Sequence, residues 1–258
     1  MRVREANIRL LMCPETVKSR VTEYAASLDE LLGDDLLGVY LYGSVARGCY
    51  HPARSDVDTI VVLNNDSRQV EQMRAIVGGL DDPRVRLLEL EHRAGFTRAI
   101  NIGIGETTGE LVFFANSDLF VTDDYIDEMV RFFQRQPRAA SAIGKILRYE
   151  LHGRGETDII DTTGHTIGRN RRAVDRGENQ RDTGRYEREE EVFSVSGAAL
   201  VARREALDSI KVRGEYLDEN FHMYKDDIDL CWRLRLAGWE CWYLGMRYNA
   251  REWEVQSR

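Results

Sequence analysis

Two short runs constrain this chain more than any other feature: Thr-Ile-Val-Val-Leu at 59–63 and Leu-Val-Phe-Phe-Ala at 111–115. Each is too short for an ordinary helix and lacks the alternation of a strand with one wet face. Each therefore reads as a strand covered on both sides. Helical spacing stands before, between and after them. Val17, Val21, Tyr24, Ala25, Leu28, Leu31 and Leu32 mark a helix over Glu15–Leu32, with Gly33 as its C-cap. Leu37–Tyr42 reads as a strand that ends in Gly43-Ser44, and a weaker helix is expected near Val70–Leu80. Val85–Leu90 is strand-like and Arg98–Ile104 helical, and Ile126, Met129, Val130 and Phe133 share one helix face before Pro137. Residues 151–191 are polar and predict a long loop or a β-hairpin excursion. Order resumes over Val192–Ala202, and a helix over Asp227–Ala237 and a strand over Trp239–Leu244 close the pattern. Strands alternating with helices predict an α/β fold with a largely parallel mixed sheet and helices on both faces.

The 258 residues suffice for one large α/β domain. A net charge of −8 gives no general basic surface, so nucleic acid is not an expected partner. The run Arg169, Arg171 and Arg172 is answered at once by Asp175 and Glu178, as on a solvated loop face. Cys13, Cys49, Cys231 and Cys241 show no metal-finger spacing, and with no signal pattern in front they are expected as free thiols in a reducing cytoplasm. No apolar run approaches the roughly 18–20 residues that span a bilayer.

Carboxylates stand where ligands of open α/β sheets sit, beyond the carboxyl ends of strands. Asp118 lies three residues past Ala115, where it could hold a divalent cation against a diphosphate. Asp also opens turns and caps helices, and both readings stay open here. In Asp226-Asp227-Ile228-Asp229, the acids at a helix start suit the macrodipole. Three carboxylates in four positions exceed what a cap needs, and together they would raise one another's pKa, as a general base requires.

From Ile60 to Leu244 the chain resembles the family 2 glycosyltransferases of the rhamnosyltransferase-like kind. The matching segments are Ile60–Ser67, Gly95–Gly103, Phe113–Asp118, Ser196–Leu207, and Tyr216–Phe221 with Tyr224 and Asp226–Arg233. The resemblance implies a GT-A fold and inverting transfer of a sugar from a nucleotide-diphosphate donor to a saccharide or lipid-linked acceptor, in the cytoplasm and peripherally at the inner membrane face. It makes Asp227 the general base, with Asp226 supporting it. Asn64, Asp66, Gly95, Asn101 and Asp118 fall on the donor side, Gly197 and Tyr224 on the acceptor side. Asp118 would carry Mg²⁺ or Mn²⁺. The chain departs from the pattern at Asn64, where the family has an acid, and near Arg247–Arg251, where it often has a metal-contacting His.

A second resemblance occupies residues 1–56, ahead of the glycosyltransferase domain expected over 57–258. Gly43-Ser44, followed after eleven residues by Asp56-Val57-Asp58, is similar to the polymerase-β-like nucleotidyltransferases, especially the aminoglycoside adenylyltransferases. There Gly43 and Ser44 would hold a triphosphate, and Asp56 and Asp58 would chelate Mg²⁺ from one strand face. Glu89 is the candidate for the third carboxylate, and adenylyl transfer is the alternative activity this implies.

Overall fold

The computed structural model describes residues 59–64, 71, 74–75, 77–79, 85–90, 96–115, 119–122, 125–150, 155–221 and 225–252. The expected helix over Glu15–Leu32 and strand over Leu37–Tyr42 lie outside the described residues. Backbone contacts divide the chain into two compact units, Met1–Gly109 and Glu110–Arg258.

In the first unit, β1 (Thr59–Asn64) and β2 (Val85–Leu90) run parallel, from Thr59 opposite Val85 to Asn64 opposite Leu90. Described residues between them are helical, as the crossover between parallel neighbours requires. Helix α1 (Phe96–Gly105) follows, packs against β1 and buries Thr97 and Ile104.

The second unit is built on a seven-stranded mixed sheet. Its path runs β3 (Leu111–Phe113), β10 (Val201–Arg203), β5 (Ala139–Glu150), β11 (Glu240–Glu252) and β4 (Leu119–Val121). Two further strands, β6 (Gly155–Thr162) and β9 (Glu190–Val192), pair with β5 and β11. β5 and β11 are parallel, and the other neighbours are antiparallel. Helix α2 (Tyr125–Arg135) contacts β5, α3 (Arg204–Ser209) contacts β10, and α4 (Asp226–Leu236) contacts β11. The mixed α/β fold expected from the sequence is therefore present, with β1–β2 the parallel pair of the first unit and β5–β11 that of the second.

Sequence periodicity finds α2, but of the expected face only Met129 and Phe133 are buried; Tyr125 and Phe132 complete the buried face, and Ile126 and Val130 stay partly exposed. Strand β5 has no such signal, although Ala139 to Leu147 are all buried. Its Ala, Ser and Gly have low strand propensity, and its Lys145 reads as a surface residue. Of the two forms expected for 151–191, the hairpin form is the one that folds. After β6, the strands β7 (His165–Ile167) and β8 (Ala173–Asp175) make an antiparallel ribbon, and β9 returns to β11.

This strap over 155–193 is fastened by charge and by close approach. The Lys145 ammonium, fully buried in β5, donates to both Asp182 oxygens at 3.0 and 3.1 Å and to Glu187 at 2.7 Å. At Gly245 in β11 a Cβ would fall 2.1 Å from the Glu187 carbonyl carbon, so only glycine lets the strap backbone lie there.

Candidate active site

Lys225, in the left-handed region at φ 72°, turns the chain into α4, whose first turn carries Asp226, Asp227 and Asp229. Asp229 accepts from Arg233 Nε at 2.8 Å, and Arg233 also donates to the carbonyls of Ile210 and Tyr216. One of the three acids thus fastens the helix to the preceding segment. Asp226 is buried. Burial first, then the Asp227 charge and that of Asp229, push its carboxyl above the usual range.

Asp227 keeps 18% of its side chain exposed. Its Oδ1 accepts the Ile228 N–H at 2.8 Å and its Oδ2 accepts the Gly197 N–H at 3.0 Å. The segment just after Gly197 is held in place from two sides. Leu200 accepts the Phe114 N–H at 2.8 Å, and the buried Tyr125 hydroxyl donates to the Ala199 carbonyl at 2.5 Å. A largely buried carboxylate gripped by two N–H donors, one from its own helix and one from the segment at Gly197, is held in one orientation. It can accept a proton from a group that reaches its open side.

A third element reaches the same carboxylate. His165 is buried, and its Nε2 stands 4.0 Å from Asp227 Oδ2 and 3.3 Å from Asp175 Oδ1. On the other side of the ring Nδ1 is 2.8 Å from Ser194 Oγ, and the His165 N–H donates to the Ser194 carbonyl, also at 2.8 Å. His165 lies directly opposite Asp175 in the β7–β8 ribbon, a register that sets the two side chains side by side on one face. Burial works against the Asp175 anion, but contact with the His165 ring and its charge, the Thr162 hydroxyl and the Lys225 charge outweigh it, and the carboxyl is held below its ordinary range.

Of the residues expected from the sequence, the structure brings together Asp226, Asp227 and Gly197. Asn64 ends β1 and Asn101 lies in α1, both in the first unit. Asp66, Gly95, Asp118 and Tyr224 lie outside the described residues, as do Gly43, Ser44, Asp56 and Asp58. Glu89 accepts from Arg74 through both oxygens, at 2.6 and 2.5 Å. Those hydrogen bonds, followed by the Arg74 charge acting against desolvation, hold its carboxyl low. A carboxylate closed by a bidentate arginine does not favour Glu89 as a metal ligand. Sequence reading missed His165, Asp175 and Ser194, because a single histidine in a polar stretch gains meaning only through the ribbon register. Among the described residues, no group of three or more His, Cys, Asp or Glu is arranged to hold a metal. No described helix is long and apolar enough to cross a membrane.

The model of the family described as "Glycosyltransferase like family 2" matches residues 34–254. The O-antigen biosynthesis protein RfbC of Myxococcus xanthus is 28% identical over 185 residues, which cover 70% of this chain and 14% of that protein. The chain thus spans a small part of the length of this curated relative. The crystal structure of GalNAc-T7 with UDP, GalNAc and Mn²⁺ matches with a TM-score of 0.61 at 10% identity, over 82% of this chain and 40% of that one. The crystal structure of S. aureus TarS 1–349 in complex with UDP-GlcNAc matches with a TM-score of 0.49 at 15% identity, over 89% of this chain and 56% of that one. The likeness to GalNAc-T7 shows a fold of the GT-A type.

Proposed function

The chain belongs to glycosyltransferase-like family 2, and from that premise we propose that it is an inverting glycosyltransferase that moves a sugar from a nucleotide-diphosphate donor to a hydroxyl acceptor. Asp227 is the general base. The observation that carries this is the Asp227 carboxylate itself, partly open to solvent at the start of α4 and gripped by the N–H groups of Gly197 and Ile228. As the acceptor oxygen bonds to the anomeric carbon, its proton passes to Asp227. The bond from that carbon to the diphosphate oxygen breaks, and its electron pair leaves on the nucleoside diphosphate. Asp226, buried beneath with a raised carboxyl, supports the base electrostatically.

The donor side is assigned to Asn64, Asp66, Gly95, Asn101 and Asp118, and the acceptor side to Gly197 and Tyr224. Mg²⁺ or Mn²⁺ is assigned to Asp118 from the family pattern, where it would neutralise charge on the leaving diphosphate. The described residues do not by themselves form a site for it, and the proton transfer above does not depend on it. The acceptor is a saccharide or a lipid-linked saccharide of cell-envelope polysaccharide synthesis, reached from the cytoplasm at the inner membrane face. Residues 57–258 form the transferring domain, and residues 1–56 are a nucleotidyltransferase-like segment without activity of its own.

Asp227→Asn should abolish turnover and leave donor binding largely intact, since only the proton acceptor is lost. Asp118→Asn should instead weaken Mn²⁺-dependent donor binding. Thermal shift against dTDP-, UDP- and GDP-sugars, with and without Mn²⁺, reads the binding half, because a ligand of the native state raises the melting point with its occupancy. Equal loss of donor binding in both variants would count against this division of roles.

A further inference from the structure

The strap over 155–193 has no part in the reaction as drawn, yet it delivers a buried imidazole to the base. Gly164, at φ 93°, turns the chain into β7, and a Cβ there would stand 3.1 Å from the Ser194 carbonyl oxygen. The ring that follows is fixed at the backbone and at both nitrogens. Its Nε2 faces two carboxylate oxygens, Asp175 Oδ1 and Asp227 Oδ2. Both are acceptors only, so the Nε2 that meets them must carry the hydrogen. The Ser194 hydroxyl is free to donate to Nδ1 when the ring is neutral.

We propose that His165 is a positioning residue for Asp227, with Asp175 and Ser194 as the groups that hold it. The ring stands between two carboxylates that would otherwise face each other across its volume. Its single Nε2–H is nearer Asp175, at 3.3 Å, and stands 4.0 Å from the Asp227 oxygen that accepts the Gly197 N–H, close enough to act on that oxygen electrostatically. A base oriented this way meets the acceptor hydroxyl in a single geometry. Losing the ring leaves Asp227 its two N–H donors but exposes it to the Asp175 charge, and the carboxylate swings. A displacement of about an ångström at a reacting group costs on the order of 100-fold in rate. This role rests on the reading of Asp227 as the base.

The test uses the full chain with dTDP-rhamnose, UDP-GlcNAc and UDP-GalNAc as donors and water as acceptor, reading release of nucleoside diphosphate. His165→Ala should lower kcat by about 10- to 100-fold and leave KM for the donor within about twofold. His165→Gln, which keeps an N–H donor on a side chain of similar reach, should recover part of kcat. A merely structural histidine would lower only the folded fraction, leaving kcat per folded molecule and KM unchanged in His165→Ala. Independently of turnover, ¹⁵N spectra of the imidazoles should show the His165 ring signals shifting in Asp227→Asn. Parental kcat in a folded His165→Ala variant, or His165 signals unmoved by Asp227→Asn, overturns the inference. If the parent releases no nucleotide from any donor while the ring still responds to Asp227→Asn, the pairing is real. The transfer reading then fails and takes the catalytic role of His165 with it.

Discussion

Asp226 occupies a position that stability alone would not choose. Its carboxyl is raised by burial and by the charges of Asp227 and Asp229, so the folded state binds its proton more tightly than the unfolded chain does. Such a group destabilises the fold while it is charged, and that penalty fades as pH falls through the raised folded value to the ordinary Asp range. Asp226→Asn keeps the size and one acceptor oxygen, and should raise the melting temperature at pH 7. Its advantage over the parent should shrink as the melting series is carried down towards pH 4. A variant that melts at or below the parent at pH 7 would show that the ionised carboxylate is satisfied where it stands. Asp175 is the opposite case. With its carboxyl held low beside His165, it stabilises the fold above the ordinary Asp range and loses that contribution as pH falls through its folded value.

The strap depends on the element beneath it. Lys145 is buried in β5, and its charge is met by Asp182, itself buried, and by the more exposed Glu187. Removing one partner of a buried ion pair leaves an uncompensated charge, at a cost of about 3–5 kcal/mol. Asp182→Ala should therefore lower the unfolding free energy read from a urea titration by an amount in that range, and Lys145→Met, which strands the buried Asp182 carboxylate, should do the same. The double variant, which removes both charges, should cost well under the sum of the two, and additive losses would mean that packing, not charge, fastens the strap. The elements here were unequally legible in sequence. α2 announces itself by its apolar period, and the run at 111–115 by its apolar content, although only Leu111–Phe113 forms a strand and those residues are partly rather than fully buried. β5 does not, because it is made of small residues and a lysine whose partners lie 37 and 42 positions away.

At the scale of the whole chain, the two enzyme chemistries suggested by the sequence can be separated without naming a sugar. Asp56 and Asp58 are indispensable to a nucleotidyltransferase and play no part in a reaction built on Asp227. Replacing both by Asn preserves size, so a folded double variant should keep the nucleotide release of the parent. The parent in turn should transfer no AMP from ATP to an aminoglycoside. AMP transfer that vanishes in the double variant would promote the alternative. β1, β2, α1, α2, and the start of α4 with its acids were determined by the sequence itself, since apolar period, turn residues and charge at a helix end act within a few positions. The ordered segments from Ile60 to Leu244 likewise carried the family. The company of Asp227 was decided only by the tertiary structure. Gly197 arrives from 30 positions before it, and His165 arrives through a ribbon register that pairs it with Asp175. A hydrogen bond or a shared carboxylate between segments so far apart depends on where the sheet puts their backbones, and no local pattern encodes that.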